Sequence, residues 1–278
     1  MMGGLIMPQV TVRAGATVHY NDEGEGLPLL LAHGFMLDAS MFEPMCPILR
    51  ERCRVITWDA RAHGATRYDG QPFSEWDNVD DLIALMDALG IERAVVGGHS
   101  QGGFIAMSAA LRDPDRVMGL VLINTTPHGQ AETSFADLNA FMAEWLRTGP
   151  TRALCEALGA MVLGGVGLEP WIKKWMAQPA EALMNPFRAV VEREDISDRL
   201  ANIKAPALVV HSTADVGIPL DEAHAYARQL PGAGPVFVVE GAPHASCCTH
   251  PELVAREIIH HLDRVEAAAA PASNEREA

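Results

Sequence analysis

The sequence predicts an α/β fold, a mostly parallel sheet of eight strands with helices on both faces and a helical insertion. Three observations carry this expectation. Largely apolar runs at Leu27 to Ala32, Arg54 to Trp58, Arg116 to Ile123 and Ala207 to Val210 read as strands buried on both faces. Helical patterns alternate with these runs, which calls for parallel strands joined by crossovers. The alternation lapses from about Pro127 to Asp195, where no run reads as a strand.

In chain order, Val10 to Val12 and Thr17 to Tyr20 alternate apolar and polar residues around Arg13-Ala14-Gly15-Ala16, the pattern of an antiparallel hairpin. Asn21 to Gly26 reads as a polar loop. The strand from Leu27 ends at His33-Gly34-Phe35, and a helix is expected from Met41 to Arg50 with Pro44 in its first turn. The strand ending at Trp58 leads into Asp59-Ala60-Arg61-Ala62-His63-Gly64. Val79, Leu82, Ile83, Leu85, Met86 and Leu89 give an amphipathic helix over Asn78 to Leu89, stopped by Gly90. A strand from Arg93 to Val96, the stretch Gly97-Gly98-His99-Ser100-Gln101-Gly102-Gly103 and a helix from Phe104 to Arg112 follow. The next strand ends at Asn124-Thr125-Thr126-Pro127.

Helical stretches are expected near Ser134 to Arg147, Pro150 to Leu163, Glu169 to Ala177 and Pro179 to Glu194. They carry Trp145, Trp171, Trp175, Phe135, Phe141 and Phe187, and read as a cap over a site. The alternation resumes with a strand ending at His211-Ser212-Thr213-Ala214-Asp215, a helix from Leu220 to Leu230, a strand over Val236 to Val239, and a closing helix from Pro251 to Val265. The expected division is a core of 1–127 and 196–264, a cap of 128–195, and a disordered tail of 265–278.

Composition narrows the function classes. The 278 residues carry a formal net charge of −15, which argues against nucleic acid or an anionic membrane as partner. No run approaches the ~18 apolar residues of a membrane span, and Met1 to Val10 has no basic n-region of a signal peptide. The five cysteines are odd in number, and Cys247 and Cys248 are adjacent, which points to reduced thiols in a cytoplasmic setting. No His, Cys and Asp spacing suggests a metal, and no cofactor is expected.

Loops at the C-terminal ends of the strands converge on one sheet edge. They offer His33-Gly34-Phe35, Asp59, Ser100, Asn124, Asp215 and His244. Ser100 sits in a G-x-S-x-G turn between strand and helix, where Gly98 and Gly102 relieve crowding around a serine at the turn's tip. A serine becomes a nucleophile at neutral pH only beside a base, and the base needs an anion to fix its tautomer. Asp198 and Asp221 compete with Asp215 but read as helix starts. His99, His211, His250, His260 and His261 compete with His244; the last two read as solvated, and His99 as packed in the elbow. Asp59 and Arg61 read as a structural ion pair, and Cys247 or Cys248 as a remote alternative nucleophile.

From Val10 to about Asp263 the chain resembles the α/β-hydrolase family. His33-Gly34, the Gly98-to-Gly102 elbow, Asp215 before Gly217-Ile218-Pro219, and His244 before Pro251-Glu252 carry the resemblance. Asp59-Ala60-Arg61-Ala62-His63-Gly64 is similar to the family's Asp-x-Arg-Gly-x-Gly turn, with Ala62 where glycine is usual. The likeness is greatest to small capped enol-lactonases, carboxylesterases and cofactor-free haloperoxidases. It implies the α/β-hydrolase fold, with Ser100 as nucleophile, His244 as base, Asp215 as its orienting acid, and the backbone N–H groups of Phe35 and Gln101 as the oxyanion hole. Some members place the acid after the preceding strand, where this chain has the uncharged Asn124. The implied activity is hydrolysis of a small apolar ester or lactone by a monomer or homodimer. Carbon–carbon bond hydrolysis, haloperoxidase or perhydrolase chemistry, and a non-hydrolytic ligand-binding role are the alternatives.

Overall fold

The structure, a computed structural model, describes residues 8–12, 15–129 and 136–269. Eight strands form one sheet: β1 (Gln9–Thr11), β2 (Thr17–Glu23), β3 (Pro28–Ala32), β4 (Arg54–Trp58), β5 (Ala94–His99), β6 (Val117–Ile123), β7 (Ala207–Ser212) and β8 (Phe237–Val239). Their spatial order is β1-β2-β4-β3-β5-β6-β7-β8. The β1–β2 and β2–β4 pairs are antiparallel, and all the others are parallel. The helices are α1 (Cys46–Leu49), α2 (Glu75–Ala88), α3 (Gln101–Arg112), α4 (Ala136–Thr148), α5 (Arg152–Leu163), α6 (Glu169–Met176), α7 (Met184–Val191), α8 (Leu220–Ala227), α9 (Ser246–Thr249) and α10 (Pro251–Ala269).

Period-two alternation divides the core into two layers. Leu29, Leu31, Val55, Val95, Val121 and Leu208 face α1 and α10 through Leu49, Val254, Ile258 and Leu262. Leu30, Ile56, Val96, Leu122 and Val209 face α2, α3 and α8 through Leu82, Met86, Phe104, Ile105 and Tyr226. Both sheet faces are therefore dry, which explains why the central strands read as unbroken apolar runs. Trp145, Leu158, Val162, Ile172 and Trp175, from the helices between β6 and β7, join the first layer.

Several expectations need correction. No continuous helix spans Met41 to Arg50; a 3₁₀ turn over Ala39–Phe42 is followed by the single turn of α1. Pro44 and Pro47 explain this, since each removes a backbone donor and its ring clashes with the carbonyl four residues earlier. Asn21, Asp22 and Glu23 are not loop but the end of β2, paired with Thr57, Ile56 and Val55, and Asp22 holds Arg54 at 2.7 Å. Helix α2 begins at Glu75 because Ser74 and Asp77 form a capping box. The stretch expected as one helix from Pro179 to Glu194 is a 3₁₀ turn over Ala180–Leu183 followed by α7. The expected tail begins later than 265, because α10 runs to Ala269 and buries Val265. The rest of that tail, Arg13, Ala14, Ser134 and Phe135 lie outside the described residues.

Candidate active site

The turn from β5 into α3 holds Ser100 at φ 52° and ψ −112°, a backbone that costs an L residue about 1–3 kcal/mol. The surroundings hold it there: its amide donates to the Ile123 carbonyl at 2.9 Å, and its carbonyl accepts from Thr125 Oγ1 at 2.6 Å. Any side chain at Gly98 or Gly102 would overlap the Ala32 carbonyl on the neighbouring β3. The glycines therefore serve the closeness of elbow and sheet as much as the turn itself.

Asp215 follows β7, and its carboxylate is fully buried. Oδ1 accepts from the amides of Gly217 and Ile218 at 2.9 and 3.0 Å. Oδ2 accepts from Asn124 Nδ2 at 2.9 Å and lies 2.7 Å from His244 Nδ1. Burial acts to raise the Asp215 pKa, but His244 and the donated hydrogen bonds outweigh it and hold the group well below the usual carboxylate range. With Nδ1–H donating to Asp215, His244 presents Nε2 as a lone pair. No hydrogen bond joins Nε2 to Ser100 Oγ among the described residues. The histidine is tied to the elbow by another route: its carbonyl accepts from His99 Nε2 at 3.0 Å, and the two rings meet edge-on at 4.6 Å. Burial, then the neighbouring His244, pushes the His99 pKa well down, so His99 is neutral. Its other nitrogen faces Gly34, where a side chain would not fit.

The loop after β3 forms a turn closed by Leu37 N–H donating to the Gly34 carbonyl at 3.1 Å, with Met36 at φ 64°. His33 Nδ1–H also donates to Gly34 O at 2.8 Å, while its Nε2 accepts from the Ala60 amide at 3.0 Å. The Phe35 and Gln101 amides donate to no protein group among the described residues. The Gln101 side chain points elsewhere, to Glu75 Oε1 at 2.8 Å, and Glu75 Oε2 accepts from Asn78 at 3.0 Å. Burial pushes the Glu75 carboxyl up.

The other candidates fall apart from this group. His211 is near it, 3.6 Å from Asp215 Oδ2, but its Nε2–H donates to the Ile218 carbonyl. His250 pairs with Thr249, and His260 is exposed beside Glu257. His261, expected to be solvated, is buried. The reason is the heptad-like placement of His261 with Val254, Ile258 and Val265 on the inner side of α10. Asp198 and Asp221 lie in first helical turns. Cys247 is buried with its thiol pushed far up, and all five cysteines are free.

The Asp59–Arg61 ion pair does not form. Arg61 instead grips Asp81 with bonds of 2.6 and 2.8 Å, and Asp59 accepts from the Ala39 and Ala65 amides and sits 2.9 Å from His19 Nδ1. Ala62, the residue after Arg61, has φ 61°, and this positive φ accounts for the glycine usual there. Sequence reading missed Glu75, Asn124 as a donor, and Trp175 beside Met36; of these only Glu75 had a local signal, the Ser74–Asp77 cap that places it at a helix start.

A cleft of about 650 Å³ opens between α5–α6 and the loops after β7 and β8, with Met161, Val166, Trp171, Val216 and Pro243 on its walls. Ser100 is not among its lining residues. Among the described residues no group of three His, Cys, Asp or Glu side chains could hold a metal ion, and no helix is long and apolar enough to cross a membrane.

Residues 29–257 match the model of the alpha/beta hydrolase family. The non-heme chloroperoxidase of Streptomyces lividans is 30% identical, over 91% of this chain and 98% of its own. A thermophilic esterase from Thermogutta terrifontis superposes with a TM-score of 0.83 at 27% identity, covering 93% of this chain and 98% of its own. The enol-lactonase from Burkholderia xenovorans LB400 gives 0.81 at 25% identity, over 92% and 100%. The eight-stranded sheet, the elbow at Ser100 and the match over most of the chain agree: this protein belongs to the alpha/beta hydrolase family.

Proposed function

We propose that the protein is a serine hydrolase that cleaves a carboxylic ester or lactone through an acyl-enzyme on Ser100. One observation carries the reading: His244 is oriented by the buried Asp215 and offers a bare Nε2 on the loop tied to the elbow. Ser100 Oγ attacks the carbonyl carbon as its proton passes to His244 Nε2, and Asp215 stabilises the resulting imidazolium. The carbonyl oxygen becomes an oxyanion facing the Phe35 and Gln101 amides, where each donor is worth about 10²–10³ in turnover. Collapse expels the alkoxide, which takes the proton from His244. Water, deprotonated by the same nitrogen, then releases the acid and restores Ser100.

The helices between β6 and β7 would serve as the cap that selects an apolar substrate. Phe187 of α7 packs against Phe35 at 6.3 Å, so the wall above the proposed oxyanion amide is aromatic. The esterase and enol-lactonase likenesses support ester or lactone cleavage. The chloroperoxidase relative favours a second reading, in which hydrogen peroxide replaces water on the same acyl-enzyme and a peroxyacid leaves.

Hydrolysis of p-nitrophenyl butyrate, with Ser100→Ala as control, tests the reading. Turnover is expected in the parent and loss of about 10⁴-fold or more in the variant. Equal rates in the two proteins overturn it. Mass spectrometry after a fluorophosphonate probe should find the adduct on Ser100. A panel of esters, lactones and vinylogous diketones, with and without peroxide, separates the reaction types.

A further inference from the structure

Three peptide groups make up the turn Gly34–Leu37, and each is held. The Gly34–Phe35 group carries the proposed oxyanion N–H on one side and, on the other, the Gly34 carbonyl, which accepts from His33 and Leu37. In the Phe35–Met36 group, Met36 N–H donates to His63 Nε2 at 3.3 Å. In the Met36–Leu37 group, Met36 O accepts from Trp175 Nε1–H at 2.7 Å. The first two holds come from the sheet side of the molecule, whereas the third comes from α6.

His63 is suited to accept, since its Nδ1–H donates to the Arg61 carbonyl at 2.8 Å and burial pushes its pKa down to about 3. Trp175 is buried, with its indole N–H aimed at one carbonyl of a residue in the left-handed region. The neighbouring Lys174 fastens the same helix to the same loop: its Nζ reaches both carboxylate oxygens of Asp38, at 2.9 and 2.8 Å, and Ser40 Oγ at 2.6 Å. Helix α6 thus seats on the oxyanion loop through two adjacent side chains.

We propose that Trp175 is a positioning residue for the oxyanion hole, acting through the Met36 carbonyl to hold the turn that aims the Phe35 amide. The inference rests on the serine-hydrolase reading above. It assigns α6 a part in the chemical step, beyond enclosing substrate. A misaimed donor lowers transition-state binding more than substrate binding, because the oxyanion exists only after attack. The signature is therefore a fall in kcat at little-changed KM.

Trp175→Phe keeps the ring and removes the N–H. The expected result is kcat for p-nitrophenyl butyrate lower by about tenfold, KM within about twofold, and inhibition by an apolar trifluoromethyl ketone weakened by the same factor as kcat/KM, because that inhibitor binds as an oxyanion adduct. Binding of the matching methyl ketone should stay unchanged. Trp145→Phe, at a second buried indole of the helices between β6 and β7 whose Nε1 has no hydrogen-bond partner among the described residues, controls for general loosening and should keep kcat. If Trp175→Phe does not fold, Lys174→Met loosens the same seat from the surface and should give the same signature at about twofold to fivefold. An unchanged kcat, or a rise in KM alone, in the folded variant overturns the proposal. If the parent shows no Ser100-dependent turnover, the serine-hydrolase reading has failed and this inference falls with it; an active parent with an unaffected variant sinks this inference alone.

Discussion

Asn124 donates its amide to the same carboxylate oxygen of Asp215 that faces His244 Nδ1, at 2.9 Å against 2.7 Å. Asn124 is itself fixed, since its Oδ1 accepts from Ser246 Oγ at 2.7 Å and Ser212 Oγ at 3.2 Å. Two strand ends, after β6 and after β7, therefore converge on one acid, and only the second bears charge. The side chain at 124 works as a donor, which an aspartate there could not be.

Asn124→Asp should lower kcat by about tenfold or more, because it sets a second carboxylate against Asp215 Oδ2 and removes a hydrogen bond to the charged form. Asp215→Asn should cost about 10⁴-fold, through loss of the anion that orients and stabilises the imidazolium. Steady-state kinetics on the two variants rank them; an Asn124→Asp enzyme with parental kcat would show that the amide is not needed.

Gly102→Ala should prevent folding or cost more than about 4 kcal/mol, since the new methyl would overlap the Ala32 carbonyl where α3 crosses β3. Gly234→Ala, with nothing within 4 Å, should shift stability by less than about 0.5 kcal/mol. Chemical denaturation compares them, and a stable, soluble Gly102→Ala protein would contradict the packing described for the elbow.

Arg61→Met should destabilise by about 3–5 kcal/mol, because Asp81 is left buried without its counter-charge. Burial already pushes the Asp81 pKa up to about 6 against the opposing pull of Arg61. The double variant Arg61→Met with Asp81→Leu should be more stable than the single one, as it removes the stranded carboxylate too. Urea unfolding midpoints decide; an additive loss would rule out this coupling.

His261 gives a pH dependence with a definite sign. Burial depresses its pKa to about 4, whereas the unfolded chain titrates near 6.5. Between those values the unfolded state binds more protons, so the contribution is full above about pH 6.5 and is lost as pH falls towards 4. The stability difference between parent and His261→Gln should change, to the parent's disadvantage, by about 1.4 kcal/mol per pH unit below 6.5. A difference that stays constant from pH 7 to pH 5 would refute the assignment.

Much of the fold was legible because the central strands are dry on both faces and their runs are long. What misled was local: Pro44 and Pro47 sit in an apolar run that resembles a helix, and Asn21 to Glu23 are polar because β2 lies near the sheet's edge. His261 shows the same limit. Its burial follows from the face of α10 that meets β6, which composition alone does not reveal.

By itself the sequence determined the order of elements, the elbow around Ser100 and the strand ends that carry Asp215 and His244. Glycine spacing and apolar runs impose these locally, through sterics and burial. Only the tertiary structure decided who bonds to whom: Asp81 and not Asp59 for Arg61, Asn124 for Asp215, His99 for the His244 carbonyl, and Trp175 for Met36. Each of these partners is at least 20 residues away along the chain. Such hydrogen bonds depend on distances and angles set by packing between layers, and no local pattern encodes them.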